Sequence, residues 1–256
     1  MLRGISNAAS ALKAQQLKLD ITANNVANLN STAFKKKEVQ FKDLLYQDIA
    51  KRGNAVLPGT EKPVTAGTGT AMSAIRTDTR DGLLQTTGRE LDFAIIGPGY
   101  FCVLMPDGTE AYTRAGEFQR DREGYLVTPQ GYRVQFPQLP AEEQELRISE
   151  DGIITATTPT GEVTILGQVM LAYFNNPAGL VHLGGNLYAA SPASGAPQIA
   201  QPGPHTRIKQ FALESANVDL VSEMTNMILS QRNFSLNARA LQTLDEMLQT
   251  ANNIRR

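Results

Sequence analysis

The sequence predicts an α+β protein in which long N- and C-terminal helices form a coiled coil, with an antiparallel β-sandwich or barrel-like domain inserted between them. Three observations predict it. Near the C-terminus Leu220, Met227, Phe234, Leu241 and Leu248 stand seven residues apart. Met224, Val221, Ile228, Ala238, Leu244, Met247, Ala251 and Ile254 widen this stripe, and no Pro or Gly breaks it. Near the N-terminus Ile5, Leu12, Leu19 and Val26 repeat the same period. Between them, short apolar runs alternate with turn residues in the manner of hairpins. The implied organisation is an N-terminal coiled-coil helix at 1–31, an extended connection at 32–71, a β-rich domain at 72–209 and a C-terminal coiled-coil helix at 210–256.

In chain order, Ala9, Gln16 and Ala23 follow the first three members of the N-terminal seam by four residues, so its second position is small or polar. The helix is expected to fade in Asn24-Asn25-Val26-Ala27-Asn28-Leu29-Asn30-Ser31, because asparagine side chains compete for backbone hydrogen bonds and favour caps and turns. Lys35-Lys36-Lys37 reads as a solvated turn. Val39, Phe41, Leu44, Leu45 and Ile49 suggest a short strand or helix. Residues 52–70 are rich in Gly, Thr and Pro and read as extended. Gly67-Thr68-Gly69-Thr70 lacks the Gly-Lys-Ser/Thr of a phosphate loop, and no strong strand precedes it. In the β region, runs such as Tyr100–Met105, Ile153-Ile154-Thr155 and Val169–Phe174 are bounded by Pro106-Asp107-Gly108, Asp151-Gly152 and Asn175-Asn176-Pro177. Gln201-Pro202-Gly203-Pro204 marks the exit.

Composition narrows the function classes. A formal net charge of -1 gives no general pull toward nucleic acid or an anionic membrane. No run of 18 apolar residues exists, so no membrane insertion is expected. Ser6, Asn7, Ser10, Lys13, Gln15 and Gln16 interrupt the apolar core a cleavable signal peptide would need, so export is expected to retain the N-terminus. The single cysteine, Cys102, lies in an apolar run and reads as a buried thiol. His182 and His205, the two histidines, belong to no metal-ligand spacing and read as surface loop residues. No Gly-x-Ser-x-Gly elbow is present. No catalytic, cofactor-binding or metal-binding residue is singled out, and no cofactor is expected.

Three separated stretches resemble the bacterial flagellar basal-body rod and hook family. The first is Ala23-Asn24-Asn25-Val26-Ala27-Asn28-Leu29-Asn30-Ser31-Thr32-Ala33-Phe34-Lys35, in which the family signature usually has Gly where this chain has Ala33. The second is Gly82-Leu83-Leu84-Gln85-Thr86-Thr87-Gly88 with Leu91–Ile95, Gly99-Tyr100-Phe101 and Ala111-Tyr112-Thr113-Arg114-Ala115-Gly116. The third is Ser215-Ala216-Asn217-Val218-Asp219-Leu220-Val221-Ser222-Glu223-Met224 with Gln231-Arg232-Asn233-Phe234. Length and layout, with the Gly67-Thr68-Gly69 segment, resemble the family's distal rod subunits most, with proximal rod subunits of similar length as the runner-up, while hook subunits are typically longer in the β part. Asn24, Asn25, Asn28, Phe34, Asn217, Gln231 and Arg232 are the motif residues.

The resemblance implies a structural protein, exported unprocessed through the flagellar type III apparatus beyond the cytoplasmic membrane. Its implied partners are further copies of itself in a helical homopolymer, other rod subunits and hook proteins, the export apparatus and a surrounding ring bushing. It also implies that the terminal segments pair in an inner tube wall with the β domain outside. On this reading Ile5, Leu12, Leu19, Val26, Leu220, Met224, Met227, Phe234, Leu241 and Leu248 are the coiled-coil and assembly residues. Two other classes stay open on the sequence: a secreted coiled-coil adhesin presenting a β domain, and a β-domain hydrolase, for which no motif speaks.

Overall fold

The computed structural model describes residues 2–44, 47–48, 65–140, 145–158 and 162–254. Leu45, Ile49 and most of the Gly-, Thr- and Pro-rich stretch lie outside the described residues. The fold is α+β: helix α1 (Leu2–Ala27), short and mainly antiparallel strands, then helix α2 (Leu220–Ile254). The chain divides into two compact units. A helical unit comprises Met1–Ala27, Lys37–Arg76 and Asp219–Arg256, and a β unit comprises Asn28–Lys36 and Thr77–Val218.

In the helical unit, α1 has 26 residues and gives way to a turn at 28–30, within the asparagine-rich run expected to end it. α2 has 35 residues, on the order of 52 Å at the usual rise. Asp219 caps it: the carboxylate accepts from the Ser222 amide at 3.2 Å and hydroxyl at 2.5 Å. The helix therefore starts at Leu220, and within the expected C-terminal helical span Ala212–Glu214 is a strand. The helices run antiparallel. A Cβ on Gly4 would lie 3.4 Å from Leu244 at one end, and Asn25 bonds Glu223 at the other. The strands Lys37–Asp43 and Thr70–Thr77 pair with each other. The backbone at Gly69, with φ +116°, passes so close to α1 that a Cβ would stand 2.4 Å from Ser10 Oγ. This close approach accounts for glycine in the Gly-Thr-Gly segment.

The β unit is built on a nine-stranded sheet whose centre is Tyr100–Leu104. That strand pairs antiparallel with Glu110–Thr113 through the Asp107-Gly108 turn, and also with Arg133–Val134 and Leu171–Tyr173. A separate three-stranded sheet joins Glu145–Ile148, Ile153–Thr157 and Val163–Gln168, with Asp151-Gly152 at its first turn. The main strand path runs from Val181–Gly184 to Gln119–Arg120 without closing, so the described residues form no closed barrel. Strands of only two residues alternate with turns along one end of that path, too short to carry the curvature that closes a sheet.

Alternation along Tyr100–Leu104 sorts its side chains to two faces. Phe101 and Val103 join Phe93, Phe118 and Phe136 in the larger core, where ring centroids lie 5.2–6.1 Å apart. Tyr100 and Cys102 join Tyr112, Leu180 and Tyr188 in the smaller one. Burial on both faces explains why this strand reads as an unbroken apolar run. Cys102 is buried as expected, and burial pushes its thiol up to about 11. His182 sits in the edge strand Val181–Gly184 instead of a loop. It is exposed there, 3.1 Å from Thr77 Oγ1.

Candidate functional site

The helical unit distributes its apolar and polar side chains unusually. On α2 Glu223 and Ser230 are buried and Asn226, Met227, Asn237, Ala238, Leu241, Leu244 and Leu248 are half-buried, so the enclosed side is mainly polar in its first half and mainly apolar in its second. On α1 the row in phase with Gly4, which meets Leu244, and Asn25, which meets Glu223, is Gly4, Ala8, Ala11, Gln15, Lys18, Thr22 and Asn25, almost all small or polar, and only Thr22 and Asn25 in it are fully buried. Gln15 Oε1 and Ser230 Oγ are buried without a hydrogen-bond partner among the described residues. Each such group costs about 1–3 kcal/mol. Ile5, Leu12, Leu19 and Val26 flank the α1 row and are half-buried, while Ala9, Gln16 and Ala23 are exposed.

Most apolar side chains in the first half of α2 lie outside this enclosed side, Met227 excepted. Leu220 is 40% exposed, Val221 73% and Phe234 37%, and Met224, Ile228, Leu229, Leu236 and Met247 are exposed as well. Met227, Leu241 and Leu248 are half-buried. A straight α-helix drifts about 20° per heptad relative to a strict seven-residue repeat. The Leu220-Met227-Phe234-Leu241-Leu248 stripe therefore winds from the exposed side to the enclosed side.

The motif asparagines anchor the chain where it enters and leaves the helices. Asn25, 1% exposed, accepts from the Lys37 amide at 3.0 Å and donates to the Lys37 carbonyl at 2.9 Å and to Glu223 Oε2 at 3.1 Å. In the β unit, Asn217 accepts from the Lys36 amide at 2.7 Å and donates to the carbonyls of Asp78 and Arg80, each at 3.0 Å. Asn28 holds the turn after α1 through Ser31. Phe34 is buried, whereas Asn24, Gln231 and Arg232 lie exposed on the helices.

The lysine triplet is not a solvated turn at its first member. Lys35 is buried, with Nζ 2.6 Å from Glu214 Oε1 and 2.7 Å from the Arg80 carbonyl. Glu214 also accepts from Arg114 Nε at 2.9 Å and the Gly82 amide at 2.9 Å. Arg114 continues to Asp81 at 2.9 Å and to the carbonyls of Ile95 and Gly97. Burial opposes ionisation of Glu214, but Arg114, Lys35 and the Gly82 amide together hold its carboxyl below the ordinary carboxylate range. Burial, followed by repulsion from Arg114, lowers Lys35 from the usual lysine value. A Cβ on Gly82 would fall 1.9 Å from the Ser215 carbonyl oxygen, so only glycine lets that amide reach Glu214. Sequence reading missed this cluster. The available signal was a Lys, a Gly and an Arg inside the stretches that carry the family resemblance, with Glu214 just ahead of the third.

Ala33 stands at φ 55°, where the family signature usually has Gly, and its amide donates to the Glu214 carbonyl at 2.7 Å. An L-residue in this region costs about 1–2 kcal/mol. Ala33→Gly is expected to stabilise the β unit by about 0.5–1 kcal/mol after the unfolded-state entropy of glycine is subtracted. Urea unfolding checks this; an unchanged or lower midpoint would show that the strain is absorbed elsewhere.

Among the described residues no group of three or more His, Cys, Asp or Glu side chains could hold a metal ion, and no helix is long and apolar enough to cross a membrane. Comparison with known proteins completes the picture. Residues 5–35 match the family described as flagella basal body rod protein, residues 94–156 the flagellar hook protein FlgE/F/G D1 domain, and residues 209–254 the flagellar basal body rod FlgEFG protein C-terminal. The flagellar basal-body rod protein FlgG of Borreliella burgdorferi is 40% identical over 265 residues that span all of both chains. Its counterpart in Agrobacterium fabrum is 40% identical over 96% of this chain and 97% of the relative, and that of Bacillus subtilis 40% over all of both. With matches at both helices, in the β unit and along the full length, the chain belongs to the flagellar basal-body rod protein family.

Proposed function

We propose that the protein is a structural subunit of the distal rod of the bacterial flagellar basal body. It polymerises into a helical tubular drive shaft that transmits torque from motor to hook. The observation that carries this reading is the placement of apolar side chains on α2. A lone helix pair gains nothing from leaving Leu220, Val221, Met224 and Ile228 in water while enclosing Glu223 and Ser230. These four side chains are 40–73% exposed in one copy, so neighbours that cover the row gain the remaining part of the about 1.5–3 kcal/mol of full burial, about 1 kcal/mol for each. The α1–α2 pair is then one layer of a larger coiled-coil assembly, and the β unit, with its two cores, is a sandwich-like module. The role is mechanical and not catalytic, in keeping with relatives named as rod proteins. The partners are other copies of the chain, other rod subunits and hook proteins, the flagellar type III export apparatus and a ring bushing where one is present. The protein works outside the cytoplasmic membrane, in the basal body.

Gene deletion and electron microscopy of basal bodies test this. A distal subunit leaves a short rod without a hook when deleted, and re-expression restores rod length and swimming. Complete absence of the rod would assign the chain to the proximal rod instead, and full-length rods with hooks would remove the assignment altogether.

A further inference from the structure

Two surfaces of the helical unit complement each other and cannot meet within one chain. The first is a groove of about 530 Å³ between α1 and the strand Thr70–Thr77, walled by Ala14, Leu17 and Met72, with Lys13 and Asp20 along it. At about 100° per residue, Lys13, Leu17 and Asp20 lie roughly half a turn round from the row that faces α2, with Ala14 between the two. The second is a ridge on α2 formed by Leu236, 61% exposed, with Ala240 and Met247, and bordered by Arg239 and Glu246. Lys13, Asp20, Arg239 and Glu246 are all exposed. In each helix the two charges stand seven residues apart and have opposite sign. Laid antiparallel, Lys13 meets Glu246 and Asp20 meets Arg239 while Ala240 and Met247 enter the groove and Leu236 lies about one turn beyond its Asp20 end. The intramolecular register, with Gly4 level with Leu244 and Asn25 with Glu223, differs from this one by about eleven residues, on the order of 16 Å.

We infer that the groove behind α1 of one copy receives the Ala240–Met247 part of the α2 ridge from a second copy. The inference rests on the reading of the chain as a self-assembling rod subunit and names the surfaces that carry one of its contacts. Groove and ridge are different patches of the same chain, so the contact is head-to-tail and each copy offers a free groove and a free ridge to the next. The flanking charges fix the register, and their contribution weakens as salt rises.

Two charge-reversed chains test it: one carrying Lys13→Glu with Asp20→Arg, the other Arg239→Asp with Glu246→Lys. Each chain alone brings like charges together in every contact. In an equal mixture, every groove finds a ridge of opposite sign on the other variant. Expressed in a strain lacking its own rod subunit, each variant alone is expected to abolish swimming, and co-expression to restore it. In pelleting assays each alone should raise the concentration needed for assembly about tenfold, and the mixture should recover it to within about twofold. Rescue by mixing cannot arise from a contact within one chain. Variants that each assemble like the wild type, or a mixture that fails to rescue, overturn the contact while leaving the rod reading intact. A wild-type chain that fails to restore swimming overturns the rod reading and this contact with it. A second measurement is independent of the charges: Leu17→Cys in one chain and Thr243→Cys in another should form an oxidative cross-link between them. Its absence in assembled material also overturns the contact.

Discussion

Glu214→Ala is expected to destabilise the β unit by about 3–5 kcal/mol, because it leaves two cations in a site built for an anion. The carboxylate is 1% exposed and accepts from Lys35, Arg114 and the Gly82 amide, and both basic side chains are themselves buried. For a unit of this size such a loss lowers the thermal midpoint by about 10 °C. It is a large fraction of the about 5–15 kcal/mol that holds a typical domain together. Glu214→Gln keeps the shape and removes only the charge, so it should fall between. Lys35→Met combined with Glu214→Gln should cost less than the two changes summed, since the pair is lost together. The pH response has a fixed sign. The carboxyl of Glu214 is depressed below its ordinary 4.5. Its contribution is therefore complete above that value and disappears as pH falls from there through the depressed folded value. Lys35 is lowered from 10.5, so taken alone it makes stability rise as pH climbs toward that value. The β unit should accordingly melt earlier below about pH 4.5, and Glu214→Gln should flatten this acid limb. A loss of under about 1 kcal/mol for Glu214→Ala would show that Lys35 and Arg114 find water or other acceptors, and that the cluster does not hold the unit together.

The cluster also marks where reading the sequence runs out. Local and periodic signals were legible. The helix pattern, the asparagine stop after α1 and the Asp107-Gly108 and Asp151-Gly152 hairpins all rest on physics that acts within a few residues. Lys35 and Glu214 are separated by 179 positions, and nothing near Lys35 distinguishes it from a solvated lysine. The choice between solvent and core is made by the chain that folds over it. The start of α2 was blurred for a related reason. Apolar periodicity marks the face of a helix well and its end poorly, and the end is set by the single capping side chain of Asp219. The heptad stripe was legible as a pattern but not as a map of burial. A seven-residue repeat holds one face toward a partner only when the helices supercoil. In a straight helix it drifts, and Leu220 and Leu248 end on different sides. Ala33 shows the converse: the departure from the family's Gly is plain in the sequence, and its meaning, a backbone at φ 55°, is visible only in the fold.

Met224→Glu combined with Ile228→Glu is expected to abolish swimming and rod growth while leaving the isolated chain as stable as the wild type. Both side chains are exposed on α2, so replacing them breaks few contacts within one copy, and exposed substitutions of this kind usually change stability by less than about 0.5 kcal/mol. Met224 and Ile228 are 51% and 50% exposed in the single copy, so in a polymer that covers this row the same pair forfeits about half of their full burial, about 1.5–3 kcal/mol per copy, and forces two carboxylates out of water. At about 1.4 kcal/mol per tenfold, the lost area alone raises the concentration needed for assembly by about ten- to a hundredfold, and the desolvated carboxylates raise it further. These positions are sharper probes than Leu241, which is half-buried and whose replacement by a charge would disturb the α1–α2 pair as well. Met224→Ala with Ile228→Ala should give an intermediate defect, since it removes area without adding charge. The control is unfolding of the purified variant followed by circular dichroism, which should overlay the wild type. If the doubly acidic variant still builds full-length rods, the outward row of α2 is not an assembly surface. The polar inward face of the helix pair would then need a different physical cause, because enclosing Glu223, Gln15 and Ser230 while exposing Leu220, Val221, Met224 and Ile228 is unfavourable for a chain that stays alone.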